Sequence, residues 1–178
     1  MLEQVILVDN NDCEIGVMEK NEAHLSGALH RAFSIFIFND KQELLLQQRS
    51  LSKYHSPGLW ANTCCSHPHP NEPNHLAAKR RLMEEMGMVC DLSSSFSFTY
   101  KAKMENELIE HEIDHVFIGF SSHNPILNKD EVADYQWISL LELKENIEVN
   151  PSQYTVWLKI IMRQHYDKLI QLFHVKSL

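Results

Sequence analysis

WANTCCSHPHPNEPNHLAAKRRLMEEMG, residues 60–87, divides into two halves of different character. The first half is extended after a Pro57-Gly58 turn and carries two adjacent cysteines, Cys64 and Cys65, then His67 and His69. The second half predicts a helix over residues 73–86. Pro73 suits the first turn and Gly87 suits the position just past the end. At ~100° per residue, Ala78, Leu82 and Met86 make an apolar stripe, and Glu85 lies ~20° from it with Arg81 one turn earlier. Glu84 and Lys79 point away and read as solvated. Glu85 does not: a carboxylate at the edge of an apolar face needs a partner or a cation.

Outward from that stretch, strands and helices intersperse. QVILVD and EIGVMEK read as short strands, and RAFSIFIFN and ELLLQQRS as a hairpin. FSFTYKAK, EHEIDHVFIGF and DYQWISL supply three more strands. LLELKEN reads as a short helix, and residues 152–173 as one long amphipathic helix. This pattern predicts an α/β fold, a sandwich with a mixed sheet and its site in loops over that sheet. A length of 178 residues suits one domain over 1–178, with an N-terminal cover of about 1–30, a core of 31–148 and a C-terminal helix of 149–178. The net charge of −8 argues against nucleic acid as a partner. No apolar run reaches the ~18 residues that span a bilayer, and no signal peptide is visible, so no membrane association and a cytoplasmic location are expected. Cys13, Cys64, Cys65 and Cys90 read as reduced thiols.

Three further clusters carry chemistry. In LIEHEIDHVF, a strand puts Glu110, Glu112 and Asp114 on one face and His111, Ile113 and His115 on the other. Adjacent carboxylates repel, and a divalent metal would remove the conflict. The apolar VFIGF that follows predicts a central strand. In AHLSGALHRAF, His24 and His30 flank Gly27 and are expected in a loop. With His67, Glu110 and Glu112 they make a candidate His3Glu2 site, suited to Zn2+, Mn2+ or Fe2+, while carboxylates also suit Mg2+. In QQRSLSKYHSPGLW, Arg49 and Lys53 sit four apart after an apolar strand and fit an anion such as phosphate. A structural zinc knuckle is disfavoured, because its cysteines would be spaced rather than adjacent.

Read from Ser66, the same stretch resembles the Nudix box, G-x5-E-x7-R-E-U-x-E-E-x-G-U with U aliphatic. Glu72, Arg80, Leu82, Glu84, Glu85 and Gly87 hold the expected spacing. Ser66 replaces the first glycine, and Arg81 replaces a glutamate that holds metal in Nudix hydrolases. SKYHSPGLWANTCCSHP, AHLSGALHRAFS and ENELIEHEIDHVF together resemble the type I isopentenyl diphosphate isomerase family, over nearly the whole chain. That resemblance implies an isomerase working through a tertiary carbocation, with Cys65 the motif cysteine and Cys64 its variable neighbour. It implies His24, His30, His67, Glu110 and Glu112 as ligands of Mn2+, Mg2+ or Zn2+, with Glu112 also an acid/base beside Tyr100. It implies Glu85, with the Cys65 backbone, as the holder of a second Mg2+ that bridges to the substrate. Lys20, Arg49, Lys53 and Arg81 match diphosphate-binding positions, and Trp157 matches an aromatic beside the reacting carbons. The expected chemistry has Glu112 donating a proton and a Cys65 thiolate accepting one. It needs no flavin or nicotinamide. The expected partner is a small prenyl diphosphate, and the family suggests a monomer. The alternative enzyme is a Nudix diphosphohydrolase, which leaves Cys65, His24, His30 and Arg81 without roles.

Overall fold

The computed structural model describes residues 3–174. Strand β1 (Gln4–Val8) pairs antiparallel with β2 (Glu14–Glu19), and helix α1 (Lys20–Ser26) follows directly. The axis of the fold is β3 (His30–Phe38), whose run HRAFSIFIF is apolar on both faces because both are covered. Phe33, Ile35 and Ile37 face one core, and Phe36 and Phe38 face the other.

One edge of β3 carries β8 (Ile109–Phe120), parallel from His30↔Glu112 to Phe38↔Phe120. The other edge is shared. β1 meets it at Leu7↔His30, β6 (Cys64–Ser66) from Phe33↔Ser66 to Ile35↔Cys64, and β4 (Glu43–Arg49) at Phe38↔Leu44. The expected hairpin between β3 and β4 therefore closes at that one register pair. Thr63 forks the two strands: its Oγ1 accepts the Ile37 N–H at 2.9 Å and donates to Leu45 O at 2.6 Å. Beyond the fork, β4 pairs with β5 (Trp60–Ala61) and with β9 (Val132–Ser139). β7 (Leu92–Lys103) runs antiparallel to β8, which is the central strand its sequence predicts.

Helix α2 (Asn74–Met86) covers one face through Ala77, Ala78, Leu82 and Met86. Pro73 stands at its N-cap, one place before the first turn. The other face is covered by α3 (Leu140–Val149), α4 (Val156–Gln164) and α5 (Tyr166–His174). The mixed α/β/α sandwich is as expected. The single long helix over 152–173 is not: residues 151–153 form a short 3-10 turn, and the chain bends at His165, where φ is −128° and ψ is 13°. That bend seats the His165 ring on Phe96 and Phe98, with centroids 4.9 and 5.0 Å away. It also keeps Trp157, Leu158, Ile161 and Met162 of α4 and Leu169 of α5 in the core. The expected domain of 1–178 includes end residues that lie outside the described ones. Among the described residues no helix is long and apolar enough to cross a membrane.

Candidate active site and metal centre

Alternation along β8 builds the site. Glu110, Glu112 and Asp114 share a face with Val116 and Ile118, so one face passes from core to carboxylates along a single strand. All three carboxylates are buried, and each is met by a partner from another element. Tyr100, the register partner of Glu112 on β7, donates to Glu112 Oε2 at 2.7 Å. His67, just past β6, brings Nε2 to 2.9 Å from Glu112 Oε1. Ser34 donates to Asp114 Oδ2 at 2.7 Å.

His24 lies on α1, not in the loop its glycine neighbour suggests. The Glu19 carboxylate caps the helix by accepting the N–H groups of Asn21 and Glu22. Gly27 ends it in the left-handed conformation at φ +67°, which turns the chain back so that His30 opens β3. The two rings then meet with centroids 5.0 Å apart. One ligand atom from each of His24, His30, His67, Glu110 and Glu112 falls within 4.8 Å of all the others. His24 Nε2, His30 Nε2 and Glu110 Oε2 are buried with no hydrogen-bond partner among the described residues. Three orphaned polar atoms aimed at one point are costly unless a cation joins them. The outer nitrogens are held in place: His30 Nδ1–H donates to Ala28 O at 2.8 Å, and His24 Nδ1 lies 3.1 Å from the Tyr54 hydroxyl. The donor set fits a divalent ion.

Alternation also separates the adjacent cysteines. Cys64 is fully buried against α2, and Cys65 lines the cavity on the opposite face of β6. Desolvation pushes the Cys65 thiol well above its ordinary range, although Arg49 pulls it down. Around Glu112, burial would raise the carboxyl, but the His30 ring and the Tyr100 hydroxyl outweigh it and hold it at about 2. Burial and hydrogen bonding thus shift the two groups in opposite directions, the thiol up and the carboxyl down.

The cavity is about 360 Å3, and its lining includes Lys20, Arg49, Lys53 and Arg81 beside Glu3, Glu85 and Glu131. Lys20 pairs with Glu3 at 2.7 Å, Lys53 with Glu131, and Arg81 with Glu85 and, at 3.4 Å, Glu131. Glu85 is buried, as its helical phase predicts, and its Oε2 accepts from Gln47 Nε2 at 3.0 Å. Arg49 donates to the carbonyls of His55 and Ser56, and its guanidinium lies 5.2 Å from the centre of the Trp157 ring. Trp157 is fixed in turn by its N–H bond to Asn62 Oδ1 at 3.1 Å. The residues to which the family resemblance assigns site roles therefore line this cavity or its metal cluster.

Sequence reading assigned no role to His55, Tyr54, Glu131 or Glu3. His55 and Tyr54 stand in the quoted loop beside Lys53, but their value comes from contacts with Glu110 and His24 far along the chain. Burial pushes the His55 imidazole down to about 3. His69, given no role, is exposed, with its backbone N–H capped by Glu72.

Residues 28–158 match the Nudix domain family. The chain is 54% identical over 159 residues to isopentenyl-diphosphate Delta-isomerase 1 of Aromatoleum aromaticum, covering 89% of this chain and 90% of that one. It is 51% identical over 159 residues to the isopentenyl-diphosphate Delta-isomerase of Pectobacterium atrosepticum, covering 89% of each. Among solved structures, DR0079 of Deinococcus radiodurans superposes with a TM-score of 0.74 at 18% identity, covering 90% of this chain and 98% of that one.

Proposed function

The chain belongs to the isopentenyl-diphosphate Delta-isomerase family within the Nudix fold, and from that premise we propose how its cavity works. The protein is an isomerase that interconverts isopentenyl and dimethylallyl diphosphate. One proton adds to the terminal alkene carbon and leaves a tertiary cation. Another proton leaves the carbon on the far side of the cationic centre, so the C=C bond moves and no atom or electron is lost. No hydride moves, so the reaction calls for no flavin or nicotinamide.

Cys65 and Glu112 are the proton-handling pair. They come from strands on opposite edges of β3 and both line the cavity. Together they hold one proton between them. Each turnover hands that proton to carbon at one end and collects another at the other end, and solvent exchange resets the pair. Forward and reverse reactions use the two groups in opposite senses. Tyr100 holds Glu112 through its 2.7 Å hydrogen bond. The Trp157 ring offers its face to the cation, worth about 1–2 kcal/mol in a desolvated site. The helices α4 and α5 and residues 3–30 act as covers that keep water from capturing the cation.

Lys20, Arg49, Lys53 and Arg81 bind the diphosphate. His24, His30, His67, Glu110 and Glu112 would hold Mn2+, Mg2+ or Zn2+, and Glu85 with the Cys65 backbone would hold Mg2+. These ions would supply fixed positive charge that orients Glu112 and neutralises the diphosphate. The enzyme acts as a one-domain monomer in the cytoplasm, without nucleic-acid or membrane partners.

The observation that carries this reading is the convergence of a thiol and four cations on one cavity whose wall holds a cluster of five ligand groups. Incubation with isopentenyl diphosphate and Mg2+ in D2O should place deuterium in dimethylallyl diphosphate. Cys65→Ala should abolish that incorporation. Absence of exchange in the wild type, or release of inorganic phosphate in its place, would revive the hydrolase. Near-normal turnover by Cys65→Ala would remove Cys65 from the pair.

A further inference from the structure

His55 has no role in the scheme above, yet it is buried where the metal centre, the diphosphate anchor and the aromatic wall meet. Its Nε2 lies 3.3 Å from Glu110 Oε1. The other oxygen of that carboxylate, the orphaned Oε2, faces His24 Nε2 at 3.4 Å. On the far side of the imidazole, Nδ1 lies 3.4 Å from Ser56 Oγ. The ring stands edge-on to Tyr54 and Trp157, with centroids 4.5 and 6.0 Å away. The carbonyls of His55 and Ser56 accept from the Arg49 guanidinium at 3.1 and 3.2 Å.

A carboxylate only accepts, so an imidazole nitrogen that bonds to it must carry the N–H. With the Ser56 hydroxyl donating to Nδ1, the ring hydrogen sits on Nε2, the nitrogen 3.3 Å from Glu110 Oε1. We propose that His55 is a positioning residue of the metal centre. Its Nε2–H holds Oε1 of Glu110, so that Oε2 is the atom presented to the ion among His24, His30, His67 and Glu112. Its backbone ties Arg49, and so the diphosphate anchor, to the same point. This inference rests on the metal-site reading given above. Partners of this kind, which orient a ligand from behind, typically change metal affinity 10- to 100-fold.

The test is a titration of the full chain with Zn2+, and separately Mn2+, against a chromophoric chelator, with melting followed in EDTA. The wild type should bind one ion in the cluster. His55→Phe keeps the ring volume without the donor and should weaken binding by about 10-fold or more, with the EDTA melt little changed. His55→Gln restores an N–H near the Nε2 position and should stay within about threefold of wild type. Equal affinity of His55→Phe and wild type would overturn the proposal, as would a loss in His55→Gln as large as in His55→Phe. If His55→Phe does not fold, the wild type still decides: nitrogen-15 NMR of the metal-free protein should find the His55 hydrogen on Nε2, and finding it on Nδ1 overturns the proposal. A wild type that binds neither ion would instead overturn the metal reading itself.

Discussion

Arg81 and Glu72 show how single side chains of the Nudix stretch are put to different uses. Arg81 occupies the place of a hydrolase glutamate and pairs with Glu84, Glu85 and Glu131 at the cavity mouth. Glu72 keeps its place and grips Arg80 in a two-pronged pair, Oε1 to Nε at 2.7 Å and Oε2 to Nη2 at 2.8 Å. Hydrogen bonding from Arg80, reinforced by the His69 N–H, outweighs partial burial and holds the Glu72 carboxyl at about 2. A depressed folded-state pKa contributes stability that is present above the ordinary carboxylate range and is lost as pH falls toward 2. Glu72→Gln should therefore lower stability at pH 7 by roughly 1 kcal/mol, discounted for its partial exposure. The difference from wild type should shrink as pH falls from about 4.5 to 2. Urea midpoints across that window measure it, and a difference independent of pH would rule out the charged pair as its source.

At the scale of the element, the end of α2 matters more than its length. Gly87 ends the helix at φ +60°, and a Cβ there would stand 2.6 Å from the carbonyl oxygen of Ile126. The segment that approaches so closely satisfies the open helix end: Ile126 N–H donates to Met86 O at 2.8 Å and Asn128 N–H to Glu85 O at 3.0 Å. A few residues on, the same segment delivers Glu131 to Lys53 and Arg81. Gly87→Ala should destabilise the fold by about 2–4 kcal/mol, combining left-handed strain with the displaced carbonyl. The KM for isopentenyl diphosphate should rise as well, because the displaced segment positions two of the cations proposed to bind the diphosphate. A variant with wild-type stability and KM would show that the segment moves aside without consequence.

At the scale of the whole molecule, the metal cluster joins α1, β3, β8 and the residue after β6, which are distant in sequence. An ion bound there cross-links the layers of the native state only, so it stabilises by mass action. At 100 times its dissociation constant the gain is about 2.7 kcal/mol, or roughly 5–10 °C in melting temperature for a domain of this size. EDTA should reverse the gain, and His67→Ala should abolish most of it without removing the fold. Melting curves with and without Zn2+ measure this, and identical curves for the wild type would separate the cluster from metal binding.

The sequence by itself determined the local features. Residues 73–87 carry their own helix signals, from Pro73 to Gly87. Period-2 alternation put Glu110, Glu112 and Asp114 on one face, and helical phase marked Glu85 as the carboxylate that needs a partner. These are short-range facts of backbone geometry, and any chain with those residues expresses them. Tertiary structure decided what depends on distance across the fold. Thr63 split a hairpin that the strand pattern alone predicts, because a hydroxyl from a third segment served both strands. The C-terminal helix bent at His165 to follow the sheet. His55 and Glu131 gained their places through contacts with Glu110 and with Lys53 and Arg81. The opposite shifts of the Cys65 thiol and the Glu112 carboxyl followed from burial and hydrogen bonding that assemble only when the layers close.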